Sequence, residues 1–398
     1  MQNYKSNLKS KFLKFYFHFY LLNFDFFMAL ERLVWAEIDL SAIRQNIKKI
    51  QDFVGPKVAV MAVVKANAYG HGAIPVSKVA LEAGAKMLGV SSFGESKQLR
   101  EGGIKAPIVI LGFTPPENYL DVVNYDITVT IRSLDVARSL VTAARRVNKI
   151  AKVWLKVDTG MHRLGLNPVE VLYFVKKLQN LPNLAVSGIF THFAQASNLG
   201  SSKKQLNLFQ KVLTELKKEG IHIPITSTAN SIATFKLRES HFDLVRIGIA
   251  MYGLKPDKKF SYPLDFKPAL EFKTEITQIT EISKGETVGY GREFKARRPI
   301  LVATLAVGYG DGFRRAPKNW GEVLIAGQRV FLIGRVSMDQ AAVDITHLKG
   351  NIRRGEEVVL IGKSGSEELT AEEVAKKLGT ISYEVVTAIA SRVPRIYK

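Results

Sequence analysis

Val58-Ala59-Val60-Met61-Ala62-Val63-Val64-Lys65-Ala66-Asn67-Ala68-Tyr69-Gly70-His71-Gly72 is the stretch on which the reading of this chain turns. Residues 58–64 form an apolar, largely β-branched run that ends at a turn signal, which predicts a strand buried on both faces. Lys65 is the first charge after that run, where such a strand leaves its sheet. Gly70 and Gly72 let the backbone turn closely around a ligand. An amine held at an apolar strand end loses hydration, which favours its neutral form, the nucleophile that makes a Schiff base with an aldehyde. A lysine here can equally snorkel to the surface, and the segment alone leaves both readings open.

Outward from this strand, β and α signals alternate. Strands are predicted at 58–64, 87–91, 107–111, 126–131, 152–158, 186–191, 222–226 and 243–248, with helices between most of them. Ile43, Ile47, Ile50 and Val54 recur at helical spacing after Ser41, the predicted N-cap. Leu206, Phe209, Val212, Leu213 and Leu216 make one stripe of a helix over 203–219, stopped by Gly220. Eight such strands predict a (β/α)8 barrel of the TIM type. The competing open, doubly wound sheet wants a glycine-rich fingerprint after its first strand, and Gly-His-Gly is not one. Lys65, Asp158, His192 and Gly248 fall at or just after strand C-terminal ends, the face on which barrel enzymes build their sites. From about residue 262 the pattern changes to short strands at 271–282, 300–307, 322–326, 329–334 and 356–362, and Thr370 with Glu373 signals one capped helix. The expected domains are therefore a barrel over 29–261 and a mainly β C-terminal domain over 262–398.

Composition bounds the function. With 46% hydrophobic and 23% charged residues over 398 positions, the chain is an ordinary globular protein long enough for two cores. It has no cysteine, which excludes disulfides and thiolate metal sites, and no metal is expected. The net charge of +21 raises nucleic-acid binding, but the lysines are spread along the chain, without a basic helix or zinc spacing. A basic surface on a metabolic enzyme, without a nucleic-acid partner, is expected. Residues 1–28 stand apart as an atypical aromatic extension. Their apolar run is interrupted by Lys14, His18, Asn23 and Asp25 and is marginal against the ~20 apolar residues of a membrane span, so no membrane partner is expected.

Residues 64–72 resemble the pyridoxal-phosphate lysine motif of alanine racemases. The resemblance continues through Trp35-Ala36-Glu37-Ile38-Asp39-Leu40, Lys156-Val157-Asp158-Thr159-Gly160-Met161-His162-Arg163-Leu164-Gly165 and Gly188-Ile189-Phe190-Thr191-His192-Phe193. It runs on in Ala229-Asn230-Ser231, Arg246-Ile247-Gly248-Ile249, Val307-Gly308-Tyr309-Gly310-Asp311-Gly312, Gly334-Arg335-Val336-Ser337-Met338-Asp339-Gln340 and Arg392-Val393-Pro394-Arg395. Because it begins just after Met28, the extension is read as a mis-assigned start.

The resemblance implies a cytoplasmic, pyridoxal 5′-phosphate-dependent isomerase that racemises alanine by a two-base mechanism and supplies D-alanine for peptidoglycan. It implies that Lys65 holds the cofactor and serves one face of the substrate as acid/base, with Tyr309 as the second proton carrier. Arg246 would face the ring nitrogen and His192 the ring. Tyr69, Ser231, Gly248 and Ile249 would hold the phosphate. Arg163 and the Met338 N–H would meet the substrate carboxylate, Tyr290 would line the entrance, and Lys156 would be carbamylated. It also implies a homodimer in which each chain completes the other's site. Read without the resemblance, Tyr309 is a packing residue at a turn, Arg246 an ion-pair partner and His192 a core histidine. Three positions depart from the family pattern: many members carry Cys at Ser337, His at Ser227 and Tyr at Ser391. Ser337 leaves open a broader amino-acid racemase acting on serine or lysine. Two further readings are a decarboxylase on the same fold type and a non-catalytic pyridoxal-phosphate carrier.

Overall fold

The computed structural model describes residues 32–256 and 260–398; the expectation for residues 1–28 lies outside them. Two compact units interleave along the chain. One comprises Asp39–Ala269 with Ile381–Thr387; the other takes the described residues up to Ile38, Leu270–Thr380 and Ala388–Lys398. The first strand, β1 (Val34–Ile38), belongs to the second unit because it pairs with a later strand there.

The first unit is a parallel barrel. Its strands are β2 (Ala59–Val63), β3 (Met87–Val90), β4 (Ile108–Ile110), β5 (Thr128–Ile131), β6 (Ala151–Lys156), β7 (Leu184–Phe190), β8 (Thr226–Ser227) and β9 (Leu244–Ile247). Their order in the sheet is β8-β7-β6-β5-β4-β3-β2-β9, every pair parallel. Backbone bonds from Asp243 N–H to the Thr226 carbonyl (3.2 Å) and from Arg246 N–H to the Ala229 carbonyl (3.0 Å) join the two ends. Val60, Met61 and Ala62 have no exposed surface, as a strand covered on both faces requires.

The helices of this unit are α1 (Leu40–Val54), α2 (Ala73–Glu82), α3 (Phe93–Glu101), α4 (Tyr119–Asn124), α5 (Leu134–Arg146), α6 (Val171–Gln179), α7 (Leu199–Lys218) and α8 (Ser231–Lys236). In α1 the periodic Ile43, Ile47 and Ile50 are fully buried. Its N-cap is Asp39 and not Ser41: Asp39 Oδ1 accepts from the Ala42 N–H at 2.8 Å and from the Ser41 hydroxyl at 2.7 Å. Helix α7 begins four residues before the apolar stripe indicates, because Asn198 Oδ1 accepts from the Ser201 N–H at 3.1 Å. The strand expected at 222–226 shrinks to Thr226–Ser227, since Pro224 cannot donate to the neighbouring strand.

The second unit is mainly antiparallel β. It contains β1, β10 (Leu270–Ile282), β11 (Thr287–Val288), β12 (Phe294–Lys295), β13 (Ile300–Leu305), β14 (Glu322–Ile325), β15 (Gln328–Ile333), β16 (Ala341–Asp344), β17 (Glu357–Ser364), β18 (Glu367–Leu369) and β19 (Arg395–Tyr397). Pairing runs β10-β13-β16-β15-β14-β17 and back to β10, so the sheet closes on itself. Trp320, stacked on Phe313 at 4.8 Å, sits in its core, and its indole N–H donates to the Leu360 carbonyl at 3.0 Å. Helix α9 (Ala371–Leu378) starts with the expected capping box. Glu373 N–H donates to Thr370 Oγ1 at 3.1 Å and Thr370 N–H to Glu373 Oε2 at 3.2 Å. A short helix, α10 (Ser382–Thr387), belongs to the first unit. No helix of the described residues is long and apolar enough to cross a membrane.

Candidate active site

At the C-terminal end of β2 the chain does something sequence periodicity does not announce. Ala66, Asn67, Ala68 and Tyr69 all take left-handed conformations, with φ of 51°, 51°, 54° and 53°. For residues with a Cβ this costs roughly 1–2 kcal/mol each, so the turn depends on bonds from outside it. Asn67 Oδ1 accepts from the Ala73 N–H at 2.8 Å, the His71 ring Nδ1–H donates to the Tyr69 carbonyl at 2.9 Å, and Glu95 Oε1 accepts from the Ala66 N–H at 2.7 Å. The turn carries Lys65 and Tyr69 into one cavity of about 560 Å³.

Every candidate in the barrel unit lines that cavity. Lys65, Lys156 and Arg163 bring three cations to it; Tyr69, Ser231, Gly248 and Ile249 form another part of the wall, with Arg246 and His192. Arg246 is buried, and its guanidinium is held by neutral groups. Nη1 donates to Ser227 Oγ at 2.8 Å, and Nη2 donates to the Thr191 carbonyl at 2.7 Å, the Thr228 carbonyl at 3.2 Å and His192 Nδ1 at 3.3 Å. Nε has no acceptor among the described residues, so its proton is available to an acceptor in the cavity. Burial brings the Arg246 pKa down to about 9, which still leaves it protonated near neutral pH. Burial, then the charge of Arg246, holds His192 down at about 3, so this imidazole is neutral, with Nδ1 the acceptor and Nε2 carrying the proton.

The cationic groups depress one another. Burial, then Arg163, lowers Lys65, while Glu95 opposes the shift. Burial, then Arg163 and Arg246, brings Lys156 down to about 8, with Asp158 opposing. The loop that carries Arg163 is fixed by Asp158, whose Oδ1 accepts from the N–H groups of Gly160, Met161 and His162, each at 3.0 Å. Burial pushes the Asp158 carboxyl up, but these donors hold it below the usual carboxylate range.

Gly248 shows what the remaining wall is shaped for. A Cβ there would lie 2.6 Å from the Tyr69 hydroxyl oxygen, so only glycine lets that hydroxyl reach the backbone at this point. Ser231 Oγ accepts from the Gly248 N–H at 3.1 Å, leaving its own proton free to donate. Ile249 opens the turn Ile249–Tyr252, and the first N–H of such a turn has no partner within it. Two hydroxyls and a backbone N–H thus converge where an anion would be held, and the Arg246 Nε proton faces the same cavity. These donors fit an anionic ligand bearing a ring acceptor, as pyridoxal 5′-phosphate does.

In the β unit, Tyr309 opens a turn over Tyr309–Asp311 beside the loop 337–340. Tyr309 N–H donates to the Ser337 carbonyl at 3.0 Å and Gly310 N–H to the Met338 carbonyl at 2.9 Å. Fully buried Asp311 anchors the turn, accepting from Arg32 at 2.6 Å, Arg392 at 2.8 Å and the Gly308 N–H at 3.0 Å. The Met338 N–H has no acceptor among the described residues. Tyr290 lies between Gly289 (φ 74°) and Gly291 (φ 76°), in the connection between β11 and β12. Tyr290 is 69% exposed and Tyr309 43%.

The profile described as "Alanine racemase, N-terminal domain" matches residues 38–256, and "Alanine racemase, C-terminal domain" matches 269–397. The chain belongs to the alanine racemase family. It is 43% identical over 368 residues to the alanine racemase of Methanococcus maripaludis, covering 92% of this chain and 98% of that one. Among solved structures it superposes on the Bacillus anthracis alanine racemase with bound L-Ala-P at a TM-score of 0.87 and 38% identity, covering 92% of this chain and 95% of that one. The histidine racemase of Leuconostoc mesenteroides is also similar, at a TM-score of 0.85 and 27% identity, with coverage of 92% and 98%. Within the family frame, sequence reasoning missed Tyr383 and Thr387, which line the barrel cavity from α10. Tyr383 packs on Tyr69 with ring centroids 5.9 Å apart, and more than 300 residues separate the two in sequence, so no local pattern joins them. Ser227, noted only as a departure, turns out to hold Arg246.

Proposed function

We propose that this chain is an isomerase that interconverts L- and D-alanine with pyridoxal 5′-phosphate bound in the barrel cavity. The observation that carries the reading is the convergence of Lys65, the open Nε of Arg246 and the Tyr69–Ser231–Ile249 donors on that one cavity. When bound, the cofactor supplies an electron sink that makes the substrate Cα proton acidic. Lys65, through its neutral amine, would hold the cofactor, and that amine would carry a proton to and from the substrate Cα on one face. Arg246 would face the ring nitrogen with Nε, a donor that cannot take up a proton, and so would leave that nitrogen unprotonated and restrain side reactions. His192, neutral, would lie against the ring. The Tyr69 and Ser231 hydroxyls and the Ile249 N–H would hold the phosphate, with Gly248 leaving room for it and its own N–H fixing Ser231 Oγ.

Arg163 and the Met338 N–H bind the substrate carboxylate. Lys156 is carbamylated: at a pKa of about 8 it keeps a fraction of free amine to react with carbon dioxide, and the resulting anion relieves the clustered cations. The second proton carrier is a tyrosine of the β unit, for which Tyr309 and Tyr290 compete. Sequence reasoning gives it to Tyr309 and the entrance to Tyr290. Both phenols are exposed, and the bonds at Tyr309 N–H and Gly310 N–H fix the backbone of that turn while leaving the Tyr309 side chain free, which supports Tyr309 as the carrier. A homodimer in which the exposed tyrosines enter a partner's cavity, and a cytoplasmic role supplying D-alanine to peptidoglycan, complete the proposal.

The test is incubation with L-alanine and pyridoxal 5′-phosphate followed by chiral chromatography; persistent L-alanine would sink the assignment. Ser337 and the likeness to a histidine racemase favour one second reading, a broader-specificity racemase, which the same assay on serine, lysine and histidine decides.

A further inference from the structure

Glu95 lies in the first turn of α3 and has no place in the chemistry derived above. Its carboxylate is used at both oxygens. Oε1 accepts from the Ala66 N–H at 2.7 Å, and Oε2 accepts from the Ser91 N–H at 2.7 Å and the Ser91 hydroxyl at 3.1 Å. Ala66 is the first of the four left-handed residues and directly follows Lys65. Ser91 directly follows β3. One side chain therefore ties the turn that carries Lys65 to the end of the neighbouring strand.

We propose that Glu95 is the positioning residue of Lys65, clamping its left-handed turn against the end of β3 at the wall of an otherwise cationic cavity. The proposal rests on the reading of Lys65 as the cofactor-bearing lysine. The charged and titratable side chains around Lys65 are Arg163, Lys156, Arg246, His192, Tyr69 and Tyr383, none of them a carboxylate. Asp158 is committed to three backbone N–H groups and acts on Lys156, whereas Glu95 is the carboxylate that acts on Lys65. Removing its charge while keeping its shape moves two properties in opposite directions: the amine gives up its proton more easily, yet the turn beneath it loosens.

Glu95→Gln and Glu95→Asp separate the two effects. Competitive labelling of the full chain with acetic anhydride, read by mass spectrometry of the Lys65 peptide, gives both the pH midpoint of the amine and its limiting reactivity at high pH. In Glu95→Gln the midpoint falls, because the carboxylate that raises the Lys65 amine is neutralised. The limiting reactivity changes with it, and covalent capture of pyridoxal 5′-phosphate at a pH above both midpoints slows, by up to about 10²-fold for a nucleophile displaced by about 1 Å. Glu95→Asp keeps the charge but is one methylene too short to span both contacts, so its midpoint stays near the parent's while capture still slows. Parent-like midpoint, limiting reactivity and capture in Glu95→Gln overturn the proposal, and so does a shifted midpoint with unchanged limiting reactivity. A parent chain that never captures the cofactor sinks the racemase reading instead, while the labelling still decides the role of Glu95.

Discussion

Replacing Gly248 by alanine is the sharpest perturbation the cavity offers. The added methyl lies 2.6 Å from the Tyr69 hydroxyl oxygen and 3.1 Å from its Cζ. Optimal packing wants about 3.5 Å, so the phenol must retreat by about 0.9 Å. The phenol, however, has little room: its ring packs on Tyr252 at 5.0 Å and on Tyr383 at 5.9 Å. Overpacking of this kind costs about 1–3 kcal/mol. If that cost falls on the cofactor-bound geometry, the dissociation constant for pyridoxal 5′-phosphate rises between about 5-fold and about 150-fold. Fluorescence titration of the cofactor-depleted chain measures it, with the melting temperature as a control on the fold. The double variant Gly248→Ala/Tyr69→Phe removes the nearest contact, so it should recover part of the stability but not the affinity, having lost the hydroxyl. Parent affinity in Gly248→Ala would refute both the clash and the phosphate cradle built on it.

The remaining predictions are narrower. Tyr290→Phe and Tyr309→Phe should separate the two candidates: loss of the true carrier lowers kcat by about 10²–10⁴, whereas the other variant mainly alters KM, and equal, small effects in both would remove the tyrosine from the mechanism. Lys156 should leave a signature in stability against pH. Its folded pKa of about 8 lies below the unfolded value near 10.5, so between them the unfolded chain binds more protons and stability rises with pH. The effect is isolated as the difference in denaturant midpoint between parent and Lys156→Met, and saturating bicarbonate should flatten it; a slope unchanged by bicarbonate argues against carbamylation. Thr370→Ala removes one half of the capping box on α9 and should cost about 1 kcal/mol, read as a shift in the same denaturation midpoint.

The barrel was legible because its strands advertise themselves twice, as β-branched runs and as the places where chemistry-bearing residues begin. Lys65, His192 and Arg246 could be placed at one end of one sheet before any coordinates, since parallel strands put all their C-terminal ends on one face. The exception, β8, fails at Pro224, where an apolar run without a full set of donors pairs over only Thr226–Ser227. Caps were less legible than stripes. Asp39 and Ser41 both suit an N-cap, and the choice rests on one 2.8 Å bond to Ala42. Short strands of the β unit, such as β16 and the edge strand β19, gave no signal, because pairing with neighbours distant in sequence makes strands of them. The left-handed turn at 66–69 was invisible for a related reason: Ala-Asn-Ala-Tyr carries no local preference for it, and residues as remote as Glu95 supply its bonds.

Ser227 shows how a departure from a family pattern becomes informative once its contacts are known. The family pattern described above leads to a histidine at this position, a group that titrates near neutrality. Here a hydroxyl accepts from Arg246 Nη1 at 2.8 Å and donates to the Leu244 carbonyl at 2.7 Å, so it is saturated and cannot titrate. The other acceptors on Arg246 are two carbonyls and the Nδ1 of His192, a histidine held at about 3. No partner of the guanidinium among the described residues changes charge between pH 5 and pH 8, a window free of all these pKa values. The Arg246 side of the cavity is therefore electrostatically constant. Among the cavity's own side chains, pH dependence near neutrality then enters from the amines, Lys65 and Lys156, whose pKa values are both drawn down toward that range.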